Sequence, residues 1–332
     1  MILVTGATGL VGGHLIWHLL QENEKVIAIK RNTSNTKALK TIFSFYTKNP
    51  DAYLQKIEWR IANMVDKYSL EAAFDDIHVV YHCAAIVSLS NIGSDLIKTN
   101  VTGTRNIVNV SLSKKISKFC FVSSIAACGH TTDNQLINEN SKWKDNKHRS
   151  AYALSKYLSE QEVWKGMNEG LNAVIVNPGV ILGVSGTESG SSQLFSQAKK
   201  GLMFYTNGGS GYVDVQDVVK NMILLTKSFV SNERFIIVAQ NCSNKEILSW
   251  MADGFGKKRP QILIGKKLLY TIGFLSEMVM KIFKFTPLID RSIARSATKR
   301  EFYSNFKIRC INNYKFKSVE TCIAEVCEFL KK

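Results

Sequence analysis

The chain has 332 residues, 45% of them hydrophobic, with 43 Lys and Arg against 27 Asp and Glu for a formal net charge of +16. That length holds a nucleotide-binding domain of ordinary size and roughly a hundred residues more, with no apolar run long enough to span a bilayer. Seven cysteines without a CxxC pair read as buried hydrophobes or free thiols, and six histidines without an HExxH spacing give no metal centre, so we expect a cytoplasmic protein that binds no metal.

The run Ile2-Leu3-Val4 is short enough for a buried strand, and Leu15, Ile16, Leu19 and Leu20 have the period of a helix packed on a sheet. Between them Gly6, Gly9 and Gly12 stand three apart. A strand turning sharply into a helix leaves unpaired N–H groups at the helix start, which attract a pyrophosphate. Glycine tolerates positive φ there and lets the backbone approach the phosphates. Gly6, Thr8, Gly9, Leu10, Val11 and Gly12 are therefore the candidate dinucleotide cradle.

The second strand, Lys25 to Arg31, ends on Lys30 and Arg31 where NAD-preferring proteins carry an acidic residue for the adenosine ribose. Two cations would hold a 2′-phosphate, the guanidinium bidentately, so NADP(H) is favoured over NAD(H). Asn32, Thr33 and Ser34 offer further donors. Residues 35–56 read as helix and connection, and Ile57, Trp59 and Ile61 alternate before Asn63-Met64. Val79 to Ala85 is a buried strand ending in the small residues Cys83, Ala84 and Ala85, in which His82 reads as a packed core histidine. Phe119 to Ser124 is another, stopping at a serine pair where strand C-termini face a ligand crevice.

Tyr152 and Lys156 lie four apart, on one helical face. A phenol with a pKa near ~10 is a poor acid or base at neutral pH, and a neighbouring ammonium is expected to lower it into use. Val174 to Gly183 is the sixth strand and its exit. Residues 184–212, rich in Gly and Ser, suit a mobile substrate loop, and Arg234 to Ala239 is a further strand. In 266–285, Leu268, Ile272, Leu275, Val279 and Ile282 form a helical stripe with Lys267, Lys281 and Lys284 nearby, read either as a helix capping the cleft or as a basic helix resting on a membrane. The excess charge leaves three readings open: attraction of an anionic cofactor and substrate, adhesion to acidic membranes, or solubility. No nucleic-acid motif is present, so nucleic acid is not an expected partner.

The motifs at 5–12, 30–31, 83–85, 100–106, 123–124, 152–156 and 177–183, in this order, resemble the extended short-chain dehydrogenases/reductases, the epimerase/dehydratase type. They are most similar to the branch with dihydroflavonol reductases, cinnamoyl-CoA reductases and 3β-hydroxysteroid dehydrogenases. The resemblance implies an α/β Rossmann fold with a doubly wound parallel sheet over 1–183, strand segments near 213–240 returning to it, and a smaller C-terminal substrate lobe from 184–212 and 241–332. It implies catalysis by Ser124 (with Ser123 as alternate), Tyr152 and Lys156, with Asn100 bracing the active-site backbone. It also implies contacts to the nicotinamide half of the cofactor from Cys83, Ala84, Ala85, Lys156, Pro178, Val180 and Ile181, and to the adenine from Asn63 and Met64. Asn63 departs from the family's usual aspartate. A homodimer through the helices bearing Asn100 and Tyr152 follows from the same likeness.

The expected activity is hydride transfer between NADP(H) and a ketone, aldehyde or secondary alcohol, anionic or lipid-soluble, with Tyr152 as acid/base. The alternatives are a nucleotide-sugar epimerase with tightly bound cofactor and a cofactor-sensing protein without catalysis. A sugar-nucleotide dehydratase is disfavoured by Ile125 and Ala126, which stand where such enzymes place acidic catalysts.

Overall fold

Strands buried on both faces alternate their side chains between two cores, and this chain's do so in register. Ile2 and Val4 enter one apolar cluster and Leu3 the other; Cys120 and Val122 oppose Phe119 and Phe121; Val174 and Val176 oppose Ala173 and Ile175. A computed structural model describes residues 1–87, 94–130, 135–143, 150–187, 190–271, 273–274, 294, 297–311 and 313–332.

The strands and helices run β1 (Ile2–Thr5), α1 (Leu10–Gln21), β2 (Val26–Lys30), α2 (Lys37–Ser44), α3 (Pro50–Leu54), β3 (Glu58–Ile61), α4 (Lys67–Ala73), β4 (Val79–His82), α5 (Ser94–Ser113), β5 (Lys118–Val122), α6 (Ala151–Asn168) and β6 (Ala173–Pro178). There follow β7 (Val180–Leu182), α7 (Ser192–Lys200), β8 (Phe204–Tyr205), β9 (Gly209–Asp214), α8 (Val215–Lys227), β10 (Glu233–Ile237), β11 (Gln240–Ser243), α9 (Asn244–Phe255), β12 (Ile262–Leu263), α10 (Phe306–Arg309) and α11 (Val319–Lys331).

Seven parallel strands form the central sheet in the order β3-β2-β1-β4-β5-β6-β10. The chain reverses direction across the sheet between β1 and β4, the switch point at which such sheets open a crevice beyond their strand C-termini. α1, α2 and α8 cover one face, and α5 and α6 the other.

β7, β9 and β11 form a separate three-stranded sheet. The chain leaves the main sheet at Gly179, whose N–H bonds the Ile237 carbonyl at 3.0 Å and where a Cβ would sit 2.4 Å from the Gly211 carbonyl oxygen. Within 213–240, β10 joins the central sheet while β9 and β11 stay with β7. The lobe has its own core of Leu182, Phe195, Ile247, Met251, Ile323 and Val326, among others. Of the stretch 266–285, residues 266–271 are helical, with Leu269 buried and Leu268 exposed; Ile272, Leu275, Val279 and Ile282 lie outside the described residues. No described helix is long and apolar enough to cross a membrane.

Candidate active site

The glycine loop sits at the switch point. Gly6 has φ +67°, and a Cβ on it would lie 2.6 Å from the Ala84 nitrogen, so β1's exit is pressed against β4's. A Cβ on Gly12 would lie 2.3 Å from the Gly6 oxygen, which closes the turn to other residues. Gly9 caps α1 without a side chain, and the first i→i−4 bond runs from Gly13 N–H to the Gly9 carbonyl at 2.9 Å. The N–H groups of Leu10, Val11 and Gly12 thus have no acceptor in the helix, and no acidic residue stands in the first turn. With Thr8 half-buried beside an exposed Gly9, this cradle fits a pyrophosphate.

At the end of β2, Lys30 Nζ lies over the Trp59 ring, 5.3 Å from its centroid. Arg31 is exposed, and its backbone N–H bonds Ser34 Oγ at 3.1 Å. Asn63 is exposed and its Oδ1 accepts from Val65 N–H at 3.3 Å, so its carbonyl end shapes a turn. Met64 is half-buried and its carbonyl accepts from Asn106 Nδ2 at 3.0 Å.

Thr5 Oγ1 accepts from Ala84 N–H at 3.1 Å and bonds His82 Nδ1 at 2.8 Å, while His82 Nε2 meets Thr104 Oγ1 at 3.1 Å. Burial pushes this imidazole down to about 3, so it is a neutral core residue tying β1, β4 and α5 together. Cys83, Ala84 and Ala85 follow it, half-buried against the glycine loop. Asn100, buried on α5, bonds both backbone groups of Ile86 and donates to Ser155 Oγ on α6 at 3.1 Å.

Ser124, Tyr152 and Lys156 meet at the C-terminal edge of β5. Ser124 Oγ accepts from Ala126 N–H at 3.1 Å, capping a short 3-10 turn, and the Ser124 hydroxyl is the neighbour that draws the Tyr152 phenol down. Ser150 caps α6 just ahead of Tyr152. Lys156 Nζ donates to the Val122 carbonyl at 2.8 Å and lies 5.1 Å from the centre of the Phe121 ring. Its burial lowers the ammonium to about 8, opposed by Cys83 and Glu160. The phenol is not lowered by Lys156 as expected: burial raises Tyr152, and the Ser124 hydroxyl opposes that rise. Burial is the largest influence on the phenol, and the Lys156 ammonium is turned to the Val122 carbonyl. Pro178 is buried at the end of β6, and Val180 and Ile181 are half-buried on β7.

The sequence reading missed a second, buried layer. Glu160 lies one turn beyond Lys156; its Oε1 accepts from Ser123 Oγ and from Asn177 Nδ2, each at 2.5 Å, and Arg234 Nη1 reaches its Oε2 at 3.3 Å. Asn177 Nδ2 also donates to the Ser124 carbonyl at 2.9 Å. Ser123 therefore faces inward and Ser124 faces the phenol. The period-four continuation Tyr152, Lys156, Glu160 was the available signal. The arrangement can hold a substrate oxygen between a hydroxyl and a phenol and move one proton to or from it.

Residues 2–238 match the model of the NAD dependent epimerase/dehydratase family. The chain is 27% identical over 312 residues to a putative dihydroflavonol 4-reductase of Synechocystis, covering 92% of this chain and 87% of the relative. It is 26% identical over 316 residues to sterol demethylase protein B of Methylococcus capsulatus, covering 94% and 88%. Among solved structures, gox2253 superposes with a TM-score of 0.82 at 24% identity over 100% of this chain and 98% of the other. UDP-glucose 4-epimerase of Thermus thermophilus, solved in complex with NAD, gives 0.75 at 18% identity over 99% and 98%. These structural likenesses bear on the fold.

Proposed function

The chain belongs to the NAD dependent epimerase/dehydratase family, as an NAD(P)-dependent enzyme of short-chain dehydrogenase/reductase type, and from that premise we propose that it is an NADP(H)-dependent reductase of an apolar ketone or aldehyde. The observation that carries this reading is the convergence of Ser124, Tyr152 and Lys156 at the C-terminal edge of β5, where Ser124 caps the turn after the strand and Lys156 Nζ reaches the Val122 carbonyl. A nicotinamide held beside Cys83, Ala84, Ala85 and Pro178 would supply the hydride to the carbonyl carbon. Tyr152 gives its proton to the carbonyl oxygen, and Ser124 donates to that oxygen as negative charge develops. Lys156 would donate from its ammonium to the nicotinamide ribose and so hold the ring against the substrate carbonyl.

Three features support the finer points. Lys30 and Arg31, with no carboxylate beside them at the end of β2, suit a 2′-phosphate. Ile86 and Val87 are exposed at the exit of β4, and Ile125 and Ala126 follow the serine, an apolar surround suited to a ring system more than to a nucleotide sugar. The names of the two relatives, a dihydroflavonol reductase and a sterol demethylase protein, accord with such a ketone.

The test is absorbance at the nicotinamide band with NADPH or NADH and a panel of aromatic, steroidal and aliphatic carbonyls. Consumption of NADPH that Tyr152→Phe abolishes, with cofactor binding retained, supports the reductase. Turnover of a nucleotide sugar without net loss of absorbance would mean an epimerase. For the cofactor, Lys30→Ala with Arg31→Ala should raise KM for NADPH by about tenfold or more and leave NADH unchanged.

A further inference from the structure

The small lobe carries a narrow ribbon in which β8 and β12 pair in parallel, Ile262 beside Phe204 and Leu263 beside Tyr205. Its start is tied by Gln261 and Ile262 N–H groups to the Met203 carbonyl, both at 3.1 Å, and its end by Ile264 N–H to the Tyr205 carbonyl at 2.9 Å. Directly paired residues of parallel strands share a face, so the ribbon shows apolar side chains on both faces. Met203 is 66% exposed, Phe204 44%, Ile262 51% and Leu263 51%, and Leu268, just beyond, 57%. Single exposed apolar residues are ordinary, but five are gathered on this one ribbon and its flank, Phe204 and Ile262 on one face and Leu263 on the other.

The charged residues next to the ribbon along the chain are basic, Arg259 among them being paired with Asp253 of α9. Lys200 precedes Met203, Lys257 and Lys258 precede β12, and Lys266 and Lys267 follow it; all five are exposed and none makes an ion pair among the described residues. The sequence holds no Asp or Glu from Gly190 to Val213, nor from Gly254 to Ser276. From this geometry we propose that the ribbon is a membrane-docking edge: Phe204, Ile262, Leu263 and Met203 insert into the interfacial layer of an anionic bilayer while the flanking lysines meet its headgroups. Aliphatic side chains gain by leaving water for the acyl boundary, and the lysines gain from the negative surface potential. A second copy of the chain would bring its own unpaired lysines against these, and a nucleic acid offers aliphatic side chains nothing. The proposal concerns binding alone and stands or falls separately from the reductase reading.

Sedimentation of the full chain with vesicles of phosphatidylcholine, with and without phosphatidylglycerol, tests it without any turnover. The expected result is binding to the anionic vesicles, weakened by salt, and little to phosphatidylcholine alone. Ile262→Ser with Leu263→Ser should lower the partition by about tenfold, and Lys257→Glu with Lys258→Glu by a similar factor, since each lysine contributes several-fold. Both variants alter exposed side chains, and an unchanged thermal midpoint confirms their fold; should the serine pair unfold, the charge pair decides alone. Absence of vesicle binding, equal binding to both vesicle types, or folded variants that bind as the parent does would overturn the proposal. So would a concentration-dependent dimer, lost in the variants, in place of vesicle binding.

Discussion

Asn100 holds Ile86 by both of its backbone polar groups, Oδ1 accepting from the N–H at 2.8 Å and Nδ2 donating to the carbonyl at 3.0 Å. The same amide reaches Ser155 on the helix of Tyr152, so one side chain sets the distance between the β4 exit and the catalytic helix. Asn100→Ala removes three hydrogen bonds at a buried position. We expect a loss of about 1–3 kcal/mol in urea unfolding together with lower kcat. Asn100→Asp, which keeps the acceptor and loses the donors, should fall between. An alanine variant with parental stability and turnover would show that the brace is dispensable.

The two serines after β5 should separate cleanly by mutation. Ser124→Ala removes the partner of the phenol and is expected to lower kcat by roughly 10²–10³, the cost of one donor to a developing oxyanion, with under about 1 kcal/mol of stability lost from the 3-10 turn. Ser123→Ala takes a donor from buried Glu160 and should cost about 1–2 kcal/mol while most turnover survives. Reversal of these two profiles would transfer the catalytic role to Ser123.

On the proposed mechanism Lys156 is expected to set the alkaline limit of reduction. Its burial places it near 8, below its ordinary 10.5, so the ammonium is lost as pH rises through about 8. Tyr152, raised by burial, stays protonated over the same range and remains able to donate. kcat/KM for NADPH-dependent reduction should therefore fall above about pH 8, and Lys156→Arg should move that fall beyond the measurable range. The folded value lies below the unfolded one, so the group's contribution to stability is full above about pH 10.4 and is lost as pH falls through 8. At pH 7 the buried charge is a cost, and Lys156→Met should unfold at a higher temperature than the parent. A flat pH profile up to pH 10 would remove Lys156 from the reaction.

What could be read in the sequence was local. Gly6, Gly9 and Gly12 announce a strand-to-helix turn because the positive φ of Gly6 and the contact of Gly12 with the Gly6 carbonyl lie within seven residues, though the press of Gly6 on Ala84 does not, and Tyr152 and Lys156 announce a shared face because a helix repeats every four. Glu160 obeys the same period but its partners come from β5, β6 and β10, and no spacing connects Arg234 to a carboxylate 74 positions earlier. That contact exists because β10 lies beside β6, a strand order that periodicity does not encode. Similarly, Val180 to Leu182 has the composition of the main sheet's strands, yet it pairs with β9, next to the close approach of Gly179 to Gly211. The direction of the Tyr152 shift was misread because a pair of residues suggests attraction, whereas burial depends on everything packed around them.

Glu160 is where charge and packing oppose each other most directly. Burial raises its carboxyl, while Ser123, Arg234 and Asn177 each pull it back. Removing one partner of a buried ion pair strands the other, and Glu160→Ala leaves the Ser123 hydroxyl, the Asn177 amide and the Arg234 guanidinium short of an acceptor; we expect a loss of about 3–5 kcal/mol. Glu160→Gln keeps an acceptor for Ser123 and Asn177 and escapes the cost of burying a charge, so its loss should be smaller, about 1–2 kcal/mol. The pH dependence separates these terms. A carboxyl raised on folding takes up a proton as the chain folds, so its contribution is full below the unfolded value of about 4.3 and is lost as pH rises through the folded one. The advantage of the parent over Glu160→Gln should therefore widen as the solution is acidified toward that value, read as the difference in urea midpoints at successive pH. An advantage that narrows on acidification would mean that Arg234, not burial, governs this site.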